Sequence, residues 1–303
     1  MNPDMTSILV IGSANTDMVL KADRFPRPGE TVLGGTFFMF PGGKGANQAV
    51  AAARLQGQVT FVCKIGNDIF GKNAVEGFVQ EGINTDCVFY DQALPSGVAL
   101  ILVNGQGQNE IAVASGANAA LSVSDVDTLD SQIENASLLV TQLETPLATV
   151  VHLIAKAHAK GKRVILNPAP AQLLPEAVYQ GLFLITPNET ETEILTGISV
   201  FDEYSANEAA HLLRSWGVQN VIITMGAQGV FVHSSHFVGM VEAPKVEAID
   251  TTAAGDVFNG ALAVALANGQ DWPSACRFAC QAASVSVTRM GAQASAPYLH
   301  ELP

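Results

Sequence analysis

The chain has 303 residues, of which 48% are hydrophobic and 14% charged, with a formal net charge of -13. A chain this apolar can bury a sizeable core, as one large or two modest domains, which argues against intrinsic disorder. The acidic balance repels phosphate backbones and argues against nucleic acid, but it leaves room for small anionic ligands held locally by backbone N–H groups.

The N-terminus, MNPDMTSILVIG, carries an early acid and too short an apolar run for a signal peptide. No segment approaches the roughly 18 uninterrupted apolar residues of a membrane span. Residues 7–12 (SILVIG) read as a buried strand, and 31–43 (TVLGGTFFMFPGG) as a strand with no helix before it. A helix follows over 45–57, then a strand over 59–66. Residues 97–116 read as a hairpin, two β-type runs around a Gly/Asn turn. Strands are expected at 136–143, 163–168, 182–187 and 220–226, with helices at 146–162 and 206–218. Cys63, Cys87, Cys276 and Cys280 form no CxxC and no paired metal spacing, so they read as reduced thiols of a soluble, cytoplasmic protein.

Alternating strand and helix predict an α/β chain with a Rossmann-like, mostly parallel central sheet covered by helices on both faces. Ligands of such sheets sit outside the carboxyl ends of the strands. No repeat or linker divides residues 1–303, which read as a single domain. The segments at about 14–40 and 96–115 are expected to form a small separate sheet. Its apolar face would need a cover, from substrate, a neighbouring subunit or both.

The stretch DTTAAGDVFNGALAVALANG (250–269) places a lone Asp behind a Gly at the mouth of an apolar helix. Asp256 could simply complement the helix dipole, with Gly255 permitting a tight turn. The three small residues Ala253, Ala254 and Gly255 also let a ligand approach a helix N-terminus, an anion site. This segment alone leaves both readings open. A second cluster, FPGGKGANQAV (40–50), leads three glycines into an Ala-rich helix, yet is neither a Walker A loop nor GxGxxG. It reads either as a tight turn or as backbone N–H groups and Asn47 arranged for a polyhydroxyl ligand.

GGKGANQAVAAARL and DTTAAGDVFNGAL resemble the paired signatures of the ribokinase-like family of sugar kinases. VNGQGQNEIAVASGANAALS, LNPAPAQLLP, TPNETETEILTG and ITMGAQGV extend the resemblance from about residue 7 to 297. One departure is Ala253, where many members carry Gly. The resemblance implies ATP-dependent phosphorylation of D-ribose at its primary hydroxyl, with Mg²⁺ and K⁺, by a homodimer joined through a β lid. It makes Asp256 the catalytic base, with the N–H groups of Ala253, Ala254, Gly255 and Asp256 as an anion hole. It assigns the sugar to Asn15, Thr16, Asp17, Gly43, Lys44, Gly45, Ala46, Asn47, Glu144 and Asp256. ATP falls to Asn188, to Thr224, Met225, Gly226, Ala227, Gln228 and Gly229, and to Gly255 and Cys280. Cys280 stands where such sequences can carry a His. Glu191 completes an N-x-x-E motif that arranges Mg²⁺ through water, although Asn188 and Glu191 also fit a capping box. Asp250, Thr252, Ser286, Arg289, Gly291 and Ser295 resemble a potassium site, Arg289 through its carbonyl.

A first-turn Asp is expected to have a low pKa and to be a weak base, tolerable for a loose phosphoryl transfer. Two alternatives remain: a kinase for another sugar or nucleoside, such as 2-deoxyribose, a ketohexose or adenosine, or a sugar-binding regulator without catalysis. The six histidines fall in no matched motif, and the loose HxxH of His233 and His236 reads as surface.

Overall fold

A computed structural model describes residues 7–303. The early acid and the first residues of the N-terminal segment lie outside the described residues. In chain order, β1 (Ser7–Ile11) runs into β2 (Asn15–Lys21), and β3 (Thr36–Gly42) returns beside it to α1 (Lys44–Arg54). Next come β4 (Gln58–Val62), β5 (Lys64–Gly66), α2 (Ile69–Gln80), β6 (Phe89–Asp91) and the hairpin β7 (Gly97–Val103) and β8 (Asn109–Ala114). Two short helices, α3 (Val123–Asp127) and α4 (Asp130–Asn135), precede β9 (Leu138–Thr141), α5 (Leu147–Ala159), β10 (Val164–Leu166) and α6 (Glu176–Gln180). The rest is β11 (Leu184–Ile185), α7 (Glu189–Thr196), α8 (Glu203–Ser215), β12 (Asn220–Thr224), β13 (Val230–His233), β14 (Val238–Val241), α9 (Ala254–Ala267) and α10 (Trp272–Ser286).

The large sheet has the order β14-β13-β12-β11-β10-β9-β1-β4. It is parallel from β4 to β12; β13 pairs antiparallel with both β12 and β14, so β13 alone runs against the other strands. Its central strands are apolar apart from polar residues at their ends, such as Thr141 on β9, because both faces are covered. Alternation along β1 feeds two cores. Ile8 and Val10 pack with α1, α9 and α10, whereas Leu9 and Ile11 pack with α5 and α8 on the other face. The α/β, mostly parallel architecture expected from the sequence is the one found.

A second sheet, β3-β2-β7-β8, stands apart from the large one. Register puts Asp17, Phe40, Ala99 and Val113 in one cross-strand row, with Asn15 on the same face two residues earlier. Thr16 therefore faces the other way. Phe37, Met39, Leu100, Ile111 and Val113 remain exposed on this sheet.

Three boundaries differ from the sequence reading. The run 59–66 breaks at Cys63, whose carbonyl bonds Phe89, and β5 leaves the large sheet to pair with β6. The run 31–43 pairs only from Thr36, because Gly34 and Gly35 sit at φ +96° and +97°, outside strand geometry. The apolar run 182–187 yields only the two-residue strand β11.

Candidate active site

Helix α9 begins without a side-chain cap, at Ala253 in the left-handed region, φ +60°. Glycine adopts that conformation most readily, since a Cβ costs roughly 1–2 kcal/mol there. The N–H of Ala254 bonds the Thr251 carbonyl. Among the described residues, no backbone carbonyl accepts from the N–H groups of Gly255 or Asp256. A Cβ on Gly255 would meet nothing within 4 Å, so packing does not require the glycine. The turn is thus bare, open and lined with unpaired donors, the arrangement that binds an anion.

Asp256 points inward and is 5% exposed. Asn47 Nδ2 donates to Oδ2 at 2.9 Å and Gln48 Nε2 to Oδ1 at 3.0 Å. Its pKa does not follow the expectation from the helix dipole. Burial raises it above the ordinary carboxylate value, while Lys44, Asn47 and Gln48 pull it back and Glu144 adds to the rise. Asp256 is therefore a stronger base than a first-turn Asp in water, because desolvation outweighs the dipole.

The glycine-rich loop packs on the β1–β2 connection. A Cβ on Gly43, at φ +89°, would lie 2.7 Å from Asn15 N, and one on Gly45 2.6 Å from Ser13 N. Close approach of two backbones accounts for both glycines. Most N–H groups of the loop already have partners in the protein. Lys44 N–H bonds Glu144 Oε2 at 3.0 Å, Ala46 N–H bonds the Ser13 carbonyl at 2.9 Å, and Asn47 N–H bonds the Gly43 carbonyl at 2.8 Å. The remaining polar capacity lies in side chains. Asn47 Oδ1 is buried with no partner among the described residues. Asn15 Oδ1 accepts from Asn118 Nδ2 at 2.8 Å, which leaves the Asn15 amide N–H groups to face outward. Asn15 and Glu144 line a cavity of about 370 Å³ with Val113, Asn118 and Pro170.

Asp17, on the same face of β2 as Asn15, is largely buried, and its pKa is raised to about 6 by burial first and then by Glu144 and Asp256. Lys44 stands among these acids. Burial works against its ammonium, but the fields of Asp256, Glu144 and Glu191 outweigh it and hold the pKa above its ordinary value.

Beyond Asp256, α7 starts with the full capping box that its sequence allows. Asn188 Oδ1 accepts from Glu191 N–H at 2.7 Å, and Glu191 Oε2 accepts from Asn188 N–H at 2.9 Å. Glu191 is held above its ordinary pKa by burial, against Asn188 N–H and Lys44. Asn188 is bridged to Thr224 at the end of β12, where Thr224 N–H bonds the Pro187 carbonyl at 2.9 Å. The turn Met225–Gly229 follows, with Gly226 and Gly229 at positive φ and a Met225 N–H bond to the Gly229 carbonyl. Ala227 and Gln228 are exposed on it.

The six residues of the potassium resemblance come from two segments that meet. The N–H groups of Ile249 and Asp250 bond the Val287 carbonyl, and Gly291 N–H bonds Asp250 Oδ2 at 2.9 Å. Asp250 Oδ1 accepts from Thr252 N–H at 2.9 Å. Arg289 turns its guanidinium to Glu301, at 2.8 and 3.1 Å, leaving only its carbonyl for a cation. The Ser286 and Ser295 hydroxyls donate to the Ala283 and Ala292 carbonyls, with lone pairs still available. Cys280 lies in the core of α10, 3% exposed, its thiol pushed up to about 12 by burial. His233, at the end of β13, lies 3.0 Å from the Arg214 guanidinium of α8 through its Nδ1. Among the described residues, no group of three or more His, Cys, Asp or Glu side chains could enclose a metal, and no helix is long and apolar enough to cross a membrane.

Sequence reasoning missed Ser13, Asn118 and Gln48. Ser13 Oγ donates to Glu144 Oε2, and Asn118 clamps Ala14 through both its amide atoms, 2.9 and 3.0 Å, while bonding Asn15. Each is a neutral polar residue inside a matched segment, and only its burial marks it out.

The model for pfkB family carbohydrate kinases matches residues 5–299. The chain is 45% identical to the ribokinase of Haemophilus influenzae over 97% of this chain and 96% of that one. It is 39% identical to the deoxyribokinase of Salmonella typhimurium over 97% and 96%. The ribokinase structure from Thermotoga maritima superposes with a TM-score of 0.88 at 40% identity, covering 98% and 97% of the two chains. That of Arabidopsis thaliana ribokinase complexed with ribose and ATP superposes with 0.90 at 30% identity, again covering 98% and 97%. Matched along nearly its whole length, and carrying a buried carboxylate at an open helix N-terminus, the chain belongs to the pfkB family of carbohydrate kinases and is an ATP-dependent kinase.

Proposed function

We propose that this chain transfers the γ-phosphoryl group of ATP to the primary hydroxyl of D-ribose, giving D-ribose 5-phosphate and ADP. The observation that carries the proposal is the surroundings of Asp256. Its carboxylate is buried and held by two amides, near Asp17 and Glu144, at a helix end where the N–H groups of Gly255 and Asp256 meet no backbone carbonyl among the described residues. The hydroxyl oxygen attacks phosphorus, its proton passes to Asp256, and the bond from phosphorus to the ADP oxygen breaks. Burial makes Asp256 a competent acceptor for that proton, and positioning supplies most of the rest in a loose transfer. The N–H groups at Gly255 and Asp256, with the Lys44 ammonium, would meet the charge on the transferred group.

Asn15, Asp17, Asn47 and Glu144 are acceptors and amides suited to vicinal hydroxyls, and Asn47 Oδ1 has its capacity unused. A site built to bond a hydroxyl discriminates strongly against the analogue lacking it, which favours ribose over 2-deoxyribose. The turn Thr224–Gly229, with Asn188, takes the nucleotide. Mg²⁺ fits this oxygen-rich neighbourhood because it retains several waters, and Glu191 keeps one carboxylate oxygen outside its capping box. When bound, it neutralises phosphate oxygens. Potassium fits the oxygen donors of Asp250, Thr252 and the 286–295 segment. The sheet β3-β2-β7-β8 would act as a lid over the sugar and, with its exposed apolar residues, as the contact of a cytoplasmic homodimer.

The test is ADP release from Mg-ATP with ribose, 2-deoxyribose, fructose, tagatose and adenosine, with and without K⁺. Fast, K⁺-dependent turnover on ribose supports the proposal. Preference for another acceptor would move the substrate and keep the chemistry. Sugar binding without turnover would favour a regulator.

A further inference from the structure

A chain of buried amides runs behind the candidate base. Gln48 is fully buried, so it touches no substrate. Its Nε2 spends one N–H on Asp256 Oδ1 at 3.0 Å and the other on Asn167 Oδ1 at 3.1 Å. Its Oε1 accepts from Gln142 Nε2 at 2.6 Å. A carboxylate only accepts, so Asp256 dictates which way Gln48 is turned, and Gln48 in turn dictates Gln142. Gln142 is 1% exposed and pressed against Gly12, where a Cβ would lie 2.0 Å from its Oε1. The network closes on the helix that carries the base. Thr186 Oγ1 bonds Asn259 Oδ1 at 2.7 Å, and Asn259 Nδ2 bonds the Gly255 carbonyl at 2.8 Å. The ends of β9, β10 and β11 thus each send one polar side chain to the rear of the site. Burying so many amides costs free energy, the more so because Gln142 Oε1 finds no hydrogen-bond partner among the described residues, and an apolar core would avoid that cost.

We infer that Gln48, held by Gln142, is a positioning residue that fixes the direction of the Asp256 carboxylate toward the acceptor hydroxyl. This rests on the reading of Asp256 as the base. Asn47 holds Oδ2 from the substrate side, and Gln48 holds Oδ1 from behind. With only one of the two, the carboxylate is free to swing about its Cα–Cβ and Cβ–Cγ bonds. The charged groups around it are Lys44 on α1, Glu144 after β9, Asp17 on β2 and Glu191 on α7. Three of these four are acids, so among the side chains around Asp256 it is Lys44, Asn47 and Gln48 that favour the carboxylate form. Loss of the Gln48 donor therefore moves the acid limb of the kcat profile to higher pH.

The experiment compares Gln48→Leu, Gln142→Leu, Asp256→Asn and the double variant Gln48→Leu/Asp256→Asn, measuring kcat, KM for the sugar acceptor, pH profiles and melting temperature. Gln48→Leu should lower kcat roughly 10- to 100-fold through a loosened geometry. Its acid limb should rise by about one pH unit, and KM should stay within about 3-fold. In the Asp256→Asn background the same substitution should cost nothing further, since residues acting as a unit are not additive. Gln142→Leu, one bond removed, should show a smaller fall in kcat with the same sign, and it serves if Gln48→Leu does not fold. Wild-type kcat and acid limb in both Gln variants would overturn the role. So would a loss confined to KM or melting temperature, or a full additional loss in the double variant. Near-wild-type turnover by Asp256→Asn would instead overturn the base itself, and this role with it.

Discussion

Asp17→Asn should stabilise the fold while impairing its function. Asp17 is largely buried near Glu144 and Asp256, and none of the hydrogen bonds described here involves its side chain. Its pKa is about 6 in the folded chain against an ordinary 3.8. Between those values the native state binds more protons than the unfolded chain, so Asp17 favours folding at low pH. That contribution is lost as pH rises through 6. Two pH units correspond to about 3 kcal/mol; allowing for partial solvent screening leaves about 2–3 kcal/mol. Asn is neutral and nearly isosteric, so it escapes the cost. In urea unfolding of both chains, Asp17→Asn should be about 2–3 kcal/mol more stable at pH 7.5 and indistinguishable below pH 4. Ribose affinity should fall roughly 10- to 100-fold at pH 7.5, the worth of a hydrogen bond to a charged acceptor. Equal stability at both pH values would refute the claim that a desolvated, like-charged carboxylate is maintained here against the fold.

Asp256→Asn should cut kcat by roughly 10²- to 10⁴-fold with little change in sugar affinity, which steady-state kinetics and calorimetry separate. Ala253→Gly should raise stability by about 0.5–1 kcal/mol in urea unfolding, because it relieves the left-handed strain at φ +60°. Arg54→Met should lower it by about 2–4 kcal/mol. That side chain bonds the Gln293 and Ala296 carbonyls at 2.6 and 2.7 Å and both carboxylate oxygens of Glu81, so its removal takes a donor from four acceptor atoms. Cys63, Cys276 and Cys280 are buried, with thiol pKa values raised by burial, so a thiol reagent at pH 8 should label them only at the rate of unfolding.

The architecture was legible because periodicity is a local property. Apolar runs such as SILVI and LLVT announce strands covered on both faces, and Ala-rich α1 announces a helix packed closely on its neighbours. Strand ends were less legible, since pairing depends on partners far along the chain. Nothing in VTFVCKIG says that it parts at Cys63 to reach Phe89. The glycines of GGKGAN were conspicuous but ambiguous. Gly43 and Gly45 are explained by close backbones, which a Cβ would meet at 2.7 and 2.6 Å, whereas a Cβ on Gly255 would meet nothing within 4 Å. Of the three, only Gly255 lacks a reason within the fold, which makes it the strongest single pointer to a ligand.

The acidity of Asp256 was the property that sequence position misjudged, and the reason is general. A helix dipole acts on any first-turn acid and is worth at most about 2 kcal/mol. Burial acts only on an acid whose side chain turns inward, and it can exceed that several-fold. Which one prevails depends on direction, and direction here comes from α1, through Asn47 and Gln48, 209 and 208 residues away. The two residues are adjacent in sequence, and the helix turns their side chains onto opposite oxygens of one carboxylate. The same glycine-rich segment thus grips Asp256 from both sides and, on the proposed function, would present an amide to the acceptor sugar. A substitution that shifted the start of α1 would be expected to disturb sugar binding and proton transfer together, though no residue of α1 takes the proton.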